Sequence, residues 1–141
     1  PVDLMAGMHA DAPTKPWGGA EEIAIHPDGG FVFVARDQDP AEPWSTNFDL
    51  YWVSEPGVAP VNLTAANLAW DTAPAFSPDG KFMMYHSNKA GPYGIYVRPF
   101  PDEDGREWTI SARAAGPRST RSMARCGAWR MKAVDLSASC R

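Results

Sequence analysis

The chain has 141 residues, of which 44% are hydrophobic and 21% charged, so it is an ordinary globular domain or a piece of one. This composition excludes a wholly disordered or fibrous protein. Residues 1–111 carry six basic and sixteen acidic side chains, whereas residues 112–141 carry seven and one. No apolar run approaches the roughly 18 residues that cross a bilayer, and we expect no membrane span.

The first residue is Pro1 rather than Met, and we expect the natural start of the gene product, with any targeting signal, to lie outside this sequence. The compartment, periplasmic or cytoplasmic, therefore stays open. Fourteen Pro and twelve Gly are a high share of turn-forming residues. Such a share favours many short strands over long helices.

A repeat organises most of the chain. The motif Pro-Asp-Gly occurs at 27–29 and again at 78–80, an offset of 51, and on this offset the apolar run at 31–34 corresponds to 82–85. Residues 49–53 correspond to 94–98 at an offset of 45. Each copy ends in a short segment of mixed polar and apolar residues, at 62–64 in the first copy and at 109–111 in the second.

Each copy of the repeat predicts four antiparallel strands. Pro presets φ for a type I turn, and the following Gly supplies the left-handed position that closes a hairpin. The runs after each turn are apolar on both faces, which is typical of a strand between neighbouring layers. The predicted strands are 21–25, 31–36, 48–53 and 61–64 in the first copy, and 73–76, 81–86, 94–98 and 107–111 in the second.

A four-stranded unit that repeats every ~40–50 residues is typical of the blades of a β-propeller. We therefore expect an all-β fold, a propeller fragment of about two four-stranded blades. Two blades cannot close a ring, and their uncovered faces predict self-association. The expected divisions are 1–20, the end of a preceding blade with its connector; 21–64 and 65–111, two blades; and 112–141, a basic tail.

The sequence resembles the N-terminal propeller of the prolyl oligopeptidase family of serine peptidases, especially the dipeptidyl and acylaminoacyl peptidase types. Three segments carry the resemblance: Asn-Leu-Thr followed by Trp-Asp and Phe-Ser-Pro-Asp-Gly within 62–81, Lys-Pro-Trp-Gly-Gly at 15–19, and the run from Pro43 to Tyr51. It covers residues 3–111. The run from Ile95 to Pro101 is more similar to the TolB-like repeats of non-catalytic propellers.

The resemblance implies a peptidase whose propeller limits the access of peptides to an α/β-hydrolase domain. That chemistry needs a serine on a G-x-S-x-G elbow, followed in the chain by Asp and His. No G-x-S-x-G occurs in the 141 residues. We therefore expect no catalytic residue, cofactor site or metal site in this chain, whose partners would be the hydrolase domain and peptide substrates. The alternative is a fragment of a TolB-like propeller that binds a protein partner.

Three histidines are candidate catalytic or metal-binding residues. His9 falls in a loop, and His26 occupies the turn position that Ser77 fills in the second copy, so we interpret His26 as a turn residue. His86 ends a strand, where a base and a packed imidazole fit the sequence equally well. No serine elbow near it supports catalysis.

Two acidic clusters are candidate calcium-binding loops. Asp37, Asp39 and Glu42 lack the glycine and the spacing of an EF-hand, and the run from Asp102 to Gly105 fits a polar turn. We expect solvated loops at both places.

Two further motifs have an ordinary structural interpretation. Glu21 and Glu22 could hold a substrate amino terminus, as paired glutamates do in dipeptidyl peptidases, but we place them on a first strand. Asn62-Leu63-Thr64 is a formal glycosylation sequon that coincides with a predicted strand.

The basic tail does not continue the repeat. A further Pro-Asp-Gly turn is due shortly before Arg130 and is missing. The tail is either a basic arm for nucleic acid or an anionic surface, or the product of a shifted reading frame or truncation, which we favour. We expect it to be unstructured or non-native, and we do not expect nucleic acid as a partner. Cys126 and Cys140 lie here without CxxC spacing, which disfavours zinc and leaves a disulfide open.

Overall fold

The computed structural model describes residues 2–5, 7–36, 45–102, 104–111, 131–132 and 135–136. Two four-stranded antiparallel sheets dominate these residues, and in each sheet every strand pairs with the next along the chain. The first sheet consists of β1 (Ile23–Ile25), β2 (Phe31–Arg36), β3 (Phe48–Val53) and β4 (Val61–Asn62). The second consists of β5 (Asp71–Phe76), β6 (Phe82–Ser87), β7 (Gly94–Pro99) and β8 (Trp108–Ser111). The expected all-β fold with two such sheets is confirmed.

Within the basic tail the structure describes two short strands, β9 (Met131–Lys132) and β10 (Asp135–Leu136), which pair in antiparallel fashion. The two cysteines lie outside the described residues. None of the helical segments in the described ranges is long and apolar enough to cross a membrane.

The first predicted strand begins two residues too early. A single turn of 3₁₀ helix, Ala20–Glu22, occupies its start, and β1 begins at Ile23. The side chain of Glu22, the last residue of this turn, is hydrogen-bonded to Thr14. In the second sheet the corresponding strand begins earlier than predicted, at Asp71, and a bulge lies between Thr72 and Ala75.

The two hairpin turns differ in length by one residue. In the first sheet Ile25 pairs with Phe31, whereas in the second sheet Phe76 pairs with Met83. Five residues therefore separate the first pair and six the second. The expected offset of 51 holds for the turn motif but is wrong for the strands that follow it, where the true offset is 52.

With the offset of 52, the second and third strands pair in the same register in both sheets. Val34 pairs with Leu50 in the first sheet, and the corresponding pair in the second sheet is His86 with Ile95. The offset of 45 predicted for the third strands agrees with this pairing. The two sheets are thus two copies of one structural unit, with the same order of strands along the chain.

The main core lies between the sheets. Its buried residues come from β2 and β3 on one side and from β5, β6 and β7 on the other: Val32, Val34, Phe48, Leu50, Phe76, Met83, Tyr85 and Tyr96. Alternation along β2 directs its remaining side chains to the opposite face, where Phe33 and Ala35 pack against Met5 and Met8 of the N-terminal segment. The far face of the second sheet forms a third cluster around Met84, Ile95 and Val97. Both sheets therefore bury apolar side chains on two faces.

Candidate functional site

A cleft of about 330 Å³ opens between the connector from β4 to β5 and the second sheet. Its lining combines three basic side chains, two acidic ones and a tyrosine with small polar residues of the connector. The lining residues are Leu63, Thr64, Ala66, Asn67, Tyr85, Lys89, Arg98, Asp102, Gly105, Arg106 and Glu107.

A charged cluster joins two sides of this cleft. Lys89 Nζ donates a hydrogen bond of 2.9 Å to the Tyr85 hydroxyl and forms an ion pair with Glu107. The Tyr85 hydroxyl donates to the same carboxylate. Lys89 Nζ also lies 4.0 Å from the ring centroid of Tyr96, a cation–π contact. Burial, reinforced by the Glu107 carboxylate, raises the pKa of Tyr85 far above its usual value, so Tyr85 stays a neutral phenol.

Arg98 fixes the connector over the sheet. Its Nη1 donates a hydrogen bond of 2.7 Å to the Leu63 carbonyl, and its Nη2 forms an ion pair with Asp102. Asp102 Oδ1 in turn accepts the Gly105 N–H at 2.8 Å, which closes the turn before β8. None of the lining residues that the structure describes is a serine or a cysteine, so these side chains can bind a charged ligand but present no serine or thiol nucleophile.

Buried polar residues anchor the connector from below. Asn67 Nδ2 donates to Asp71 Oδ2 at 3.0 Å. Asp71 is fully buried, and this burial raises its pKa, although hydrogen bonds from Ser87, Asn67 and Thr64 act in the opposite direction. The Trp-Asp motif therefore has a structural role here.

The Asn62-Leu63-Thr64 motif ties β3 to β4. Asn62 Nδ2, the atom that a glycan would modify, donates to Asp49 Oδ2 at 2.8 Å and to the Tyr51 hydroxyl at 3.3 Å. The buried Thr64 hydroxyl accepts the Leu50 N–H at 3.0 Å. The motif acts as a hydrogen-bonding unit of the sheet.

Glu21 and Glu22 do not lie on a strand, contrary to the sequence-based expectation. Both belong to the 3₁₀ turn, and Glu22 is buried. Its carboxylate accepts hydrogen bonds from the backbone N–H and the hydroxyl of Thr14, both at 2.7 Å. Thr14 thus occupies both carboxylate oxygens of Glu22, and through these hydrogen bonds Glu22 fastens the preceding loop.

His26 links the turns of the two sheets. Its Nδ1 accepts the Asp28 N–H at 3.1 Å, and this assigns the proton to Nε2, which lies 3.1 Å from the Gly80 carbonyl oxygen. The ring packs edge-on against Phe76, with 4.9 Å between centroids. It remains a turn residue, as expected, and it also bridges the sheets.

The other candidate residues are dispersed. His86 lies fully buried in β6, and burial lowers its pKa. His9 is exposed in the segment before the first sheet. Asp104 pairs with Arg106 at the surface. The acidic cluster at 37, 39 and 42 lies outside the described residues.

Comparison with known proteins gives two relatives. The chain is 39% identical over 93 residues to Dipeptidyl-peptidase 5 of Porphyromonas endodontalis and 34% identical over 93 residues to Dipeptidyl-peptidase 5 of Porphyromonas gingivalis. Each match covers 64% of this chain and 14% of the relative, so the chain spans about a seventh of the length of the curated relatives it matches. No protein-family model and no solved structure matches. The relatives support a peptidase-related origin.

Proposed function

We propose that this chain is part of the β-propeller domain of a serine peptidase of the prolyl oligopeptidase type, in which the propeller limits the access of peptides to a hydrolase domain. The observation that carries the proposal is the pair of like-oriented four-stranded sheets in a chain similar to two proteins named Dipeptidyl-peptidase 5. The relatives favour this function over a non-catalytic TolB-like propeller.

The arrangement of the sheets supports a blade role. Each sheet is a simple meander, and each buries apolar side chains on both faces, as a blade between two neighbours does. The first sheet is covered by the second through side chains of β2 and β3. On the far face of the second sheet, Met84 and Ile95 occupy the positions that correspond to those side chains of β2 and β3. They suit the next blade of a ring.

The purified 141-residue chain should not hydrolyse chromogenic dipeptidyl or aminoacyl substrates, because it lacks a G-x-S-x-G elbow. Release of the chromophore is followed at a chain concentration far above that of a positive-control serine peptidase. Turnover by homogeneous protein that a serine-directed reagent abolishes would contradict the proposal.

The gene gives the sharper test. We expect the genomic sequence around this coding region, translated in all frames, to contain a G-x-S-x-G elbow followed by Asp and His downstream of the repeats. A genomic locus with propeller repeats and no such elbow would instead support the non-catalytic alternative.

A further inference from the structure

The far face of the second sheet, which looks away from the first sheet, is closely covered. Its centre consists of Met84, Ile95 and Val97, whose side chains are 2%, 2% and 0% exposed. His86 pairs with Ile95 across the sheet, so it lies on the same face, and it is also fully buried. Side chains on a bare face of an antiparallel sheet are in contact with water, so this degree of burial requires a cover from outside the sheet.

The second sheet does not supply this cover by itself. The described apolar side chains that pack against the cluster, Phe82, Trp108 and Ile110, all belong to strands of the same sheet. On the far face of the first sheet, by contrast, the N-terminal segment supplies Met5 and Met8 as a cover. Among the described apolar residues, none from outside the second sheet packs against its far-face cluster in this way.

The order of the chain identifies the segment that can cover this face. β8 is an edge strand of the second sheet, and the basic tail, residues 112–141, follows it directly. About six residues in extended conformation span the ~20 Å length of a strand, so the tail is long enough to cross the face several times. It includes the β9–β10 hairpin. Its large apolar residues are Met123, Trp129, Met131, Val134 and Leu136.

Charge favours the same segment. The basic tail carries seven basic side chains and one acidic side chain, whereas residues 1–111 carry six basic and sixteen acidic ones. The two parts of the chain therefore have opposite net charges and attract each other, most strongly at low ionic strength.

We infer that the basic tail covers the far face of the second sheet and is the partner of Met84, Ile95 and Val97 within this chain. In a ring the next blade would occupy that face, and in the 141-residue chain the basic tail takes its place. The face is then closed to a second copy, contrary to the self-association expected from the sequence. The inference does not depend on the proposed function, because it concerns contacts within the 141 residues.

The two cysteines allow a test in the chain without substitutions. Both, Cys126 and Cys140, lie in the basic tail. A nitroxide spin label on the reduced thiols weakens the NMR signals of nearby methyl groups, and the same label in its diamagnetic form is the reference. Methionine methyl groups report on both far faces, because Met84 lies on the second sheet while Met5 and Met8 pack against the first.

We expect the Met84 signal to lose intensity several-fold more than the signals of Met5 and Met8. A mixture of spin-labelled chain without isotopes and isotope-labelled chain without spin label should show no such loss, because the contact is intramolecular. Loss of the Met84 signal in the mixture would assign the cover to a second copy and overturn the inference. Equal loss on both faces, or loss on neither, would overturn it as well.

A matched pair of substitutions separates the cover from folding. Ile110→Arg places a charge at the half-buried rim of the cluster, where it disfavours an apolar cover and repels a basic one. Val61→Arg is the control, because Val61 is 55% exposed in the corresponding strand of the first sheet.

In the spin-labelled chain, Ile110→Arg should restore most of the Met84 signal and increase self-association in sedimentation. The signal of Met83, which lies in the core between the sheets, should stay at its wild-type position and so show that the variant is folded. Val61→Arg should change neither the Met84 signal nor the self-association. Equal results for the two variants would contradict the inference.

Discussion

Gly80 shows how strongly one residue constrains a turn. Its φ is +70°, and a Cβ there would lie 2.5 Å from Nε2 of His26, which bridges the turns of the two sheets. The sequence motif predicts the positive φ, but it does not predict the imidazole against the glycine.

Gly80→Val should therefore destabilise the chain more than Lys81→Ala. A β-branched residue in the left-handed region is strained by on the order of 1–2 kcal/mol, and the valine side chain must also displace the His26 ring. Lys81 is exposed and lies in the same turn, so it serves as the matched control. The free energy of unfolding in urea measures both variants; equal values would count against the turn geometry.

His86 makes stability depend on pH. Burial lowers its pKa, so the unfolded chain binds a proton at about pH 6.5 while the folded chain binds it only at lower pH. The unfolded state then holds more protons, and the free energy of unfolding falls as the pH decreases through and below this value. This contribution to stability is present above about pH 6.5 and is lost in acid.

We expect His86→Gln to flatten this pH dependence between about pH 7.5 and pH 5.5 relative to wild type, although the variant is less stable at every pH. All other residues are the same in both proteins, so their contributions cancel in the comparison. Parallel stability curves for the two proteins would show that His86 is not the group responsible.

At the scale of elements, Thr64 shows how a loop is joined to a sheet. Its buried hydroxyl accepts the Leu50 N–H at 3.0 Å, and Asn62 Oδ1 accepts the Thr64 N–H at 2.9 Å. The junction holds β4, a strand of two residues, against β3.

Thr64→Val keeps the shape of the side chain and removes the hydroxyl, which leaves the Leu50 N–H buried without this acceptor. The expected cost is about 1–3 kcal/mol. Thr64→Ser retains the hydroxyl and should cost clearly less. Thermal and urea unfolding of the two variants make the comparison, and a serine variant as unstable as the valine variant would assign the effect to packing of the methyl group.

The order of the eight main strands, and their bounds to within two residues, could be predicted from turn motifs and apolar runs, because these features are local. The one-residue difference between the hairpins could not. Phe31 and Phe82 are identical and follow similar turns, so the sequences align there at an offset of 51, whereas the extra residue is absorbed before Met83. Only the strand pairing reveals it.

The cleft was not predictable for a related reason. Lys89 and Glu107 are 18 residues apart and meet because β6, β7 and β8 are neighbours in one sheet. No motif in the sequence marks such a pair. The sequence pattern wrongly predicts Glu22 on a strand. Its partner, Thr14, precedes the repeat and carries no recognisable strand or turn signal.

At the scale of the whole molecule, the central claim is that the two sheets are neighbouring blades of a larger ring in a peptidase. The repeat, the common register and the two-faced burial all follow from that claim. A sandwich of two sheets would need one apolar face on each, with polar residues on the outside.

The most direct test is an experimental structure of the protein expressed from its complete gene. The account predicts that residues 23–62 and 71–111 form adjacent blades, that a further four-stranded sheet covers Met84, Ile95 and Val97, and that a hydrolase domain adjoins the ring. A structure in which the two sheets form a closed two-layer sandwich, without further blades, would contradict it.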